Sequence, residues 1–343
     1  MSAMAAVLSA RRDLLDVVSD ANVRVAVLGA SRDPNAKVTV LVMPQSATEE
    51  RVAIKVPTTA IAGSAVAREM RTLNALHSLG SDVIRRTVPR PIDVVNHEGR
   101  DAMVVTLLPG TPLTTLYHRW RHTRSPKKVA QDLGAVSLWL RQLHDETAAA
   151  VTAADMDGGS VRRISERFAD VADISSVVAF VDEACAALGA HSTPCTVVHG
   201  DLWCGNVLVT DGVVTGVVDW EEASLQGEPL RDLARFALAY ALYLDRHTKA
   251  RKPVAGHPGL IAGEWGIGID YLLRGNGWIC DLLRAFLRLG MRRLGVPGEL
   301  WPQLLIAGIA EIAARADEHT FARAHIDVLR RHMEAVRGTS GER

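Results

Sequence analysis

Apolar and polar positions along the first hundred residues change period several times. Val23 to Leu28 and Val38 to Met43 are short β-branched runs, separated by the polar turn Gly29-Ala30-Ser31-Arg32-Asp33-Pro34-Asn35-Ala36-Lys37, so they predict two strands and a connection. Arg51 to Val56 predicts a third strand that ends at Pro57. From about Ile61 to Ser78 the period becomes helical, with Val66, Met70, Leu73 and Leu76 in register. Pro89 and Pro91 interrupt the chain, and Ile92–Val95 and Ala102–Leu107 read as two more strands around Asn96-His97-Glu98-Gly99-Arg100. The order is three strands, a helix and two strands.

Leu107-Leu108-Pro109-Gly110-Thr111-Pro112 reads as a linker. Beyond it the pattern is mainly helical. Val129, Leu133, Val136, Leu140 and Leu143 predict a helix ending near His144, and two more helices are expected within about Arg162 to Leu188 after a loop at Asp157-Gly158-Gly159-Ser160. Short strands are expected only around Val197, Val207 and Val217. From Leu230 onward the chain reads as helical, with breaks at Pro253–Pro258, Gly275–Gly277 and Gly295–Gly298. The predicted architecture is α+β and bilobal. Residues 1–108 form a lobe with a five-stranded antiparallel sheet and one main helix, and residues 109–343 form a mainly helical lobe.

Composition narrows this picture. Hydrophobic content of 48% and charged content of 23% over 343 residues describe an ordinary soluble globular protein. A formal net charge of zero supplies no global field for nucleic acid or a membrane surface, so neither is expected as a partner. No run reaches the ~18 apolar residues of a membrane span. Arg11, Arg12 and Asp13 follow the apolar Met1–Ala10 on the wrong side for a secretory leader, so a short helix over about Ala5 to Ser19 is expected. Cys185, Cys195, Cys204 and Cys280 show no CxxC spacing, which points to reduced thiols and a cytoplasmic location.

The chemistry concentrates in His199-Gly200-Asp201-Leu202-Trp203-Cys204-Gly205-Asn206, followed by the strand beginning at Val207 and by Val218-Asp219-Trp220-Glu221. One carboxylate that takes a hydroxyl proton and an Asn/Asp pair that holds magnesium are the parts phosphoryl transfer from ATP requires. Asp201 is the expected general base, and Asn206 and Asp219 are the expected metal ligands. His199 is expected to support the loop through its ring. Lys55 ends the run Val52-Ala53-Ile54-Lys55, where an amine can pair with phosphates, and Glu69 lies fourteen residues on, where it can pin that amine. Taken alone, this pair also reads as a solvated lysine and a surface acid. Glu221 is either a further acid at the metal or an exposed turn residue. Asp232 either caps a helix or braces the Asp201 loop, the latter being favoured. Trp203 and Trp220 read as packing residues, and Cys204 as a small loop residue or else a reactive thiol near the phosphates. Gly29-Ala30-Ser31 is a poor glycine loop, and neither a Walker A motif nor a GxSxG elbow is present.

These pieces, with Leu108-Pro109-Gly110-Thr111-Pro112-Leu113, Leu143-His144 and Gly227-Glu228-Pro229-Leu230-Arg231-Asp232-Leu233, resemble the aminoglycoside phosphotransferase / choline kinase-like superfamily of small-molecule kinases. The resemblance spans about Val23 to Ala237. It implies that adenine hydrogen-bonds the linker backbone near Thr106 to Leu108, that Lys55 takes the phosphate role and Asp201 the base role, and that Asn206 and Asp219 hold the metal. ATP and Mg2+ are the implied cofactors, and a small-molecule hydroxyl is the implied acceptor.

Only twelve residues separate Asp219 from Asp232 and no APE motif follows, which excludes the long activation segment of a protein kinase. A nucleotide-binding pseudokinase is the alternative of another class; the full set Lys55, Glu69, Asp201, Asn206 and Asp219 argues against it. From Gln226 onward 17 Lys/Arg face 13 Asp/Glu, whereas polycationic aminoglycosides favour an acidic pocket. Trp265, Trp278 and Trp301 offer faces suited to sugar rings, or else core packing. His199-Gly200-Asp201-Leu202-Trp203 also looks like the fructosamine (ketosamine) kinase form of the motif. The expected acceptor is therefore a sugar, amino-sugar or similar polyol, with an aminoglycoside or other antibiotic phosphotransferase as the alternative.

Overall fold

The computed structural model describes residues 23–28, 35–44, 50–97 and 99–340. The helix expected over Ala5–Ser19 and the turn Gly29-Ala30-Ser31 lie outside the described residues. The chain begins β1 (Val23–Leu28), β2 (Lys37–Pro44), β3 (Val52–Pro57), α1 (Ala60–Ser78), α2 (Asp82–Thr87), β4 (Pro91–His97), β5 (Arg100–Thr106). It continues β6 (Thr111–Pro112), α3 (Leu113–Tyr117), α4 (Pro126–Thr147), β7 (Val151–Ala153), α5 (Ser160–Arg167), α6 (Ile174–Gly189), β8 (Ser192–Pro194), β9 (Thr196–Val198). It closes β10 (Val207–Thr210), β11 (Val213–Val217), β12 (Ser224–Gly227), α7 (Leu230–Leu242), α8 (Ile267–Arg274), α9 (Trp278–Arg293), α10 (Trp301–Arg315), α11 (His319–Ser340).

The described residues group into two compact units, one within Met1–Thr111 and Asn206–Leu225, the other within Pro112–Gly205 and Gln226–Arg343. The first unit therefore takes in the hairpin β10–β11, which a single boundary at 108/109 assigns to the C-terminal lobe.

In the first unit the sheet runs β1-β2-β3-β5-β4 with antiparallel neighbours, as the five apolar runs predict. Val40, Val42, Val52, Ile54, Val56, Val95, Ala102 and Val104 form its core. Strands alternate their side chains between two faces, so Val40 and Val42 share one face with Val52, Ile54 and Val56 across the register Val40↔Ile54. Thr59 caps α1 by accepting from the Ala62 N–H at 3.0 Å. The buried stripe of this helix is Ala62, Ala65, Val66, Glu69, Leu73 and Leu76. Glu69 is the one charged member, placed by helical period in an otherwise apolar row.

The second unit is built around α10. Residues Leu304 to Ala314 of this helix are all buried, the mark of a helix enclosed by neighbours. It packs against α5, α6, α7 and α11. Two glycines seat α7. A Cβ on Gly308 would stand 2.8 Å from the Cβ of Ala234, and one on Gly290 would stand 2.6 Å from a methyl of Leu233. Larger residues at either place would push α7 outward, and α7 carries the side chains that hold the His199–Asp201 loop.

The structure corrects the sequence reading in several places. The short helices α2 and α3 do not stand out in the sequence, because six and five residues carry too little period to detect. Strands β6, β7, β8 and β12 add to the expected three in residues 109–343; β6 falls within the expected linker, and β7 is exposed throughout with no alternation. The break after α7 runs from Tyr243 to Gly266 and is longer than the proline-marked Pro253–Pro258. Among the described residues, no helix is long and apolar enough to cross a membrane.

Candidate active site

In the first unit, Lys55, Glu69 and Asp219 come together. Lys55 projects from β3, and its Nζ donates to Glu69 Oε1 and Oε2 at 2.7 and 2.8 Å and to Asp219 Oδ1 at 2.9 Å. Glu69 is almost wholly buried, at 1% exposure. Its Oε1 also accepts the Trp220 backbone N–H at 3.1 Å, so one carboxylate ties the lysine to the turn after Asp219. Burial is the strongest influence on the Lys55 amine and pulls it down. The charges of Glu69 and Asp219 together outweigh it, and the net shift is upward. The ammonium form is therefore the one present near neutrality.

Asp219 sits at φ 72°, in the left-handed region that only a few residue types tolerate. Aspartate is one of them, and strain of this kind concentrates where a side chain must be aimed. The turn around it is fixed by several contacts. The buried Trp220 donates its indole N–H to Val217 O at 2.8 Å. Arg68 donates to Glu221 O at 2.7 Å and to Glu222 Oε1 at 2.8 Å. Asn206 stands at the same open end of the hairpin, where its backbone carbonyl accepts the Val218 N–H at 2.9 Å. Register Val207↔Val217 thus sets Asn206 and Asp219 at adjacent ends of β10 and β11.

Glu221 is not a loose turn residue. It accepts from Asn35 Nδ2 at 2.9 Å and from the Lys37 ammonium. Glu69, Asp219 and Glu221 each bring one carboxylate oxygen within 4.8 Å of the others. Hard oxygen donors at this spacing suit a magnesium ion. Lys37 and Lys55 each neutralise part of the cluster.

Thr106 ends β5. Its N–H goes to Arg90 O at 3.0 Å, and its hydroxyl accepts the Arg90 N–H at 2.8 Å. Leu108 lies just beyond, packed where a Cβ on Gly216 would come within 2.9 Å of its own. Gly110, at φ +122°, is similarly forced, because a side chain there would meet Thr215 Oγ1 at 2.5 Å.

In the second unit the loop after β9 carries Asp201. Asp232, fully buried in the first turn of α7, accepts the His199 N–H at 2.7 Å with Oδ2 and the Gly200 N–H at 3.0 Å with Oδ1. It braces the loop as expected. His199 is also fully buried, and its Nδ1 accepts the Asp201 N–H at 3.2 Å, so its ring supports the loop. Burial pushes the Asp232 carboxyl above its usual range, although His199 and the two amides pull the other way.

The Asp201 carboxylate is gripped by a residue the sequence reading missed. Arg235 donates to Asp201 Oδ1 through Nε at 2.9 Å and through Nη2 at 2.5 Å. Arg235 lies three residues after Asp232, on the same face of α7. That spacing from an acid already suspected of bracing the loop was the available signal. Cys204 is buried, and burial followed by the Asp132 charge drives its thiol far up. It is inert rather than reactive.

Asp201, Trp203, Arg235, Tyr243, Phe321 and His325 line a cavity of about 240 Å³, with aliphatic walls from α7, Ile269 and Ile312. Trp203 lies flat over Gly205, where a Cβ would be 2.3 Å from the indole. It is a wall of the cavity, not only a packing residue. Burial pulls the His325 ring down to about 4, with a smaller push from Arg235, so it is neutral. Of the three tryptophans considered from sequence, none lines this cavity. Trp301 is buried beneath Arg284 and Arg288. Trp278 stacks on His257. Trp265 packs edge-on against Phe321 and His325, with ring centroids 5.6 and 4.7 Å apart, without itself lining the cavity.

A small antiparallel sheet with one long helix, a strand lysine paired to a helix acid, and a helical region carrying a braced His-Gly-Asp loop define the kinase-like class. Within that class the chain belongs to the phosphotransferase enzyme family, whose model matches residues 45–260. Known structures agree on the fold. A thermostable mutant of aminoglycoside phosphotransferase APH(4)-Ia in its apo form is 14% identical, with 90% of this chain and 94% of that one covered at a TM-score of 0.52. A ternary complex of the same enzyme with AMP-PNP and hygromycin B gives 12% identity, coverage of 92% and 97%, and a TM-score of 0.53. The macrolide 2'-phosphotransferase MphH from Brachybacterium faecium, as apoenzyme, is 18% identical, with 93% and 98% covered at a TM-score of 0.50. Curated proteins yield no match to the sequence.

Proposed function

We propose that the chain transfers the γ-phosphoryl group of ATP to a hydroxyl of a small molecule. The observation that carries this is Lys55 Nζ held between the Glu69 and Asp219 carboxylates at 2.7–2.9 Å, in a chain of the phosphotransferase family. A protonated amine so fixed serves as a preorganised counter-charge for nucleotide phosphates. Residues 1–108 bind the nucleotide, with adenine hydrogen-bonded to backbone near Thr106 and Leu108. Residues 109–343 take the acceptor.

Asp219 and Asn206, and Glu221 with them, offer oxygen donors to magnesium, which when bound neutralises charge on the phosphate oxygens. The other roles belong to the chain. Lys55 pairs with phosphate, and Glu69 keeps its amine in place. Asp201 accepts the proton of the acceptor hydroxyl as that oxygen bonds to the γ-phosphorus. The bond from phosphorus to the bridging oxygen breaks and ADP leaves. Arg235 aims the Asp201 carboxylate, and Asp232 fixes its backbone.

The acceptor reading is a sugar, amino-sugar or similar polyol, supported by the ring faces of Trp203 and Tyr243 in the cavity. An antibiotic phosphotransferase is the second reading, suggested by the aminoglycoside and macrolide phosphotransferases that share the fold. ATP supply and four free thiols fit a cytoplasmic location. The test is a coupled assay of ATP consumption over a panel of sugars, aminoglycosides and amino alcohols. Turnover with at least one acceptor, lost in Asp201→Asn, supports the reading. ATP binding without turnover across the panel favours a pseudokinase.

A further inference from the structure

Two strongly basic runs meet beside Tyr243, a residue of the cavity lining, through Arg246 and His118. Residues 118–128 hold Arg119, Arg121, Arg124, Lys127 and Lys128 with no acid, and residues 245–252 hold Arg246, Lys249, Arg251 and Lys252 against Asp245 alone. All nine cations are exposed. Among the described residues, none of the nine is in an ion pair with a carboxylate. On a chain of zero net charge this is a local excess.

The two runs are joined. His247 and His118 share a hydrogen bond of 3.0 Å between Nε2 and Nδ1. Gly256, at φ +87°, lets the following loop close on Arg124, where a Cβ would meet Cγ at 2.9 Å. The Arg121 and Arg124 guanidiniums flank the exposed Trp120 ring at 5.5 and 5.0 Å from its centroid, contacts that hold both cations in place. Arg246 lies over the Tyr243 ring at 5.5 Å, and Tyr243 lines the cavity. Inside, Asp201 is the only carboxylate of the lining, and Arg235 already compensates it. The lining therefore offers a polycation no uncompensated carboxylate, and Arg246 beside Tyr243 repels one.

We propose that the acceptor carries an anionic group, phosphate or carboxylate, beside the hydroxyl that is phosphorylated, and that the rim formed by 246–252 and 118–128 draws that group in. This rests on the phosphotransferase reading and deepens it. Unpaired cations beside a cavity raise the local concentration of anions and disfavour cations.

Calorimetric titration of the whole protein with four forms of one ring tests it: glucose 6-phosphate, glucuronate, glucose and glucosamine, with ADP in parallel. Glucose 6-phosphate or glucuronate should bind at least about tenfold more tightly than glucose, and glucosamine more weakly than glucose. The two anionic arms decide between phosphate and carboxylate. Raising salt from about 0.05 M to about 0.5 M should weaken the anionic rings about tenfold, since the screening length shrinks to a few ångströms. Arg246→Ala combined with Lys249→Ala and Arg251→Ala should cause a similar loss, with the thermal midpoint and ADP affinity kept. Equal binding of charged and neutral rings, tighter binding of glucosamine, or preference for a short single-stranded RNA over every ring overturns the inference. If ADP binds and the anionic rings do not, the inference alone falls; if ADP does not bind, the phosphotransferase reading falls with it.

Discussion

The Lys55 cluster and the Asp201 loop solve the same problem, aiming one charged group, in different ways. Lys55 is enclosed. Two carboxylates hold its amine, one of them almost fully buried, and a left-handed aspartate closes the group. Asp201 is open. Its carboxylate is about a third exposed and faces a cavity, held on one side by Arg235. A donor site that always meets the same nucleotide can be built rigid and pre-paired. Under the proposed function Asp201 must stay accessible to an acceptor, so the rigidity lies in Asp232 and His199 behind it.

The largest expected effect separates the two regions by function. Asp201→Asn should lower turnover by about a thousandfold, within the range of general-base catalysis, and should leave ADP affinity within twofold. Near-normal turnover would remove the base role and leave the comparison without a catalytic side.

Lys55→Met should act on both nucleotide binding and stability, because it strands the buried Glu69. Breaking a buried pair costs about 3 kcal/mol or more, a fall of roughly 5–10 °C in Tm. Differential scanning calorimetry checks this. An unchanged Tm with lost ADP binding would mean that the cluster is less enclosed than the structure shows.

Acid should strike the acceptor region through His325. Its folded value of about 4 lies below the ordinary 6.5. Between these values the unfolded chain binds the proton and the folded chain does not, so stability is lost as pH falls from about 6.5 towards 4. The whole window is worth on the order of 3 kcal/mol. His144, drawn down to about 3 by burial and then by Arg293, adds in the same direction. A urea midpoint measured at successive pH values should fall, and His325→Phe should flatten part of the slope.

The smallest effect sharpens the claim about the second layer. Asp232→Asn replaces one acceptor oxygen with a donor that faces a backbone N–H, at a cost of about 1–3 kcal/mol. If Asp232 positions Asp201, kcat should fall about tenfold while ADP affinity holds. A purely structural role would lower Tm without that split.

The difference between the regions also explains what the sequence disclosed. Lys55 and Asp219 sit on a short strand and at a hairpin end, and the structure brings them to 2.9 Å; Asn206 begins the same hairpin, so local spacing carries its place beside Val218. Glu69 is legible too, as a charge in the apolar stripe of α1. The cavity beside Asp201 draws on Trp203, Tyr243, Ile269, Ile312, Phe321 and His325 from separate helices and loops. Their approach depends on tertiary packing, including the glycine seats of α7, and no spacing encodes that. Arg235 was missed although it lies one turn from Asp232. The strands β7 and β8 were missed because three residues each carry no usable period.

The central claim is that the chain moves a phosphoryl group from ATP to a hydroxyl. Mass spectrometry of an acceptor panel after incubation with ATP, magnesium and the protein tests it most directly. The account expects one acceptor to gain a single phosphoryl group with an equal amount of ADP formed, and expects neither with Asp201→Asn. ATP bound by the wild-type protein and every acceptor recovered unchanged would contradict it.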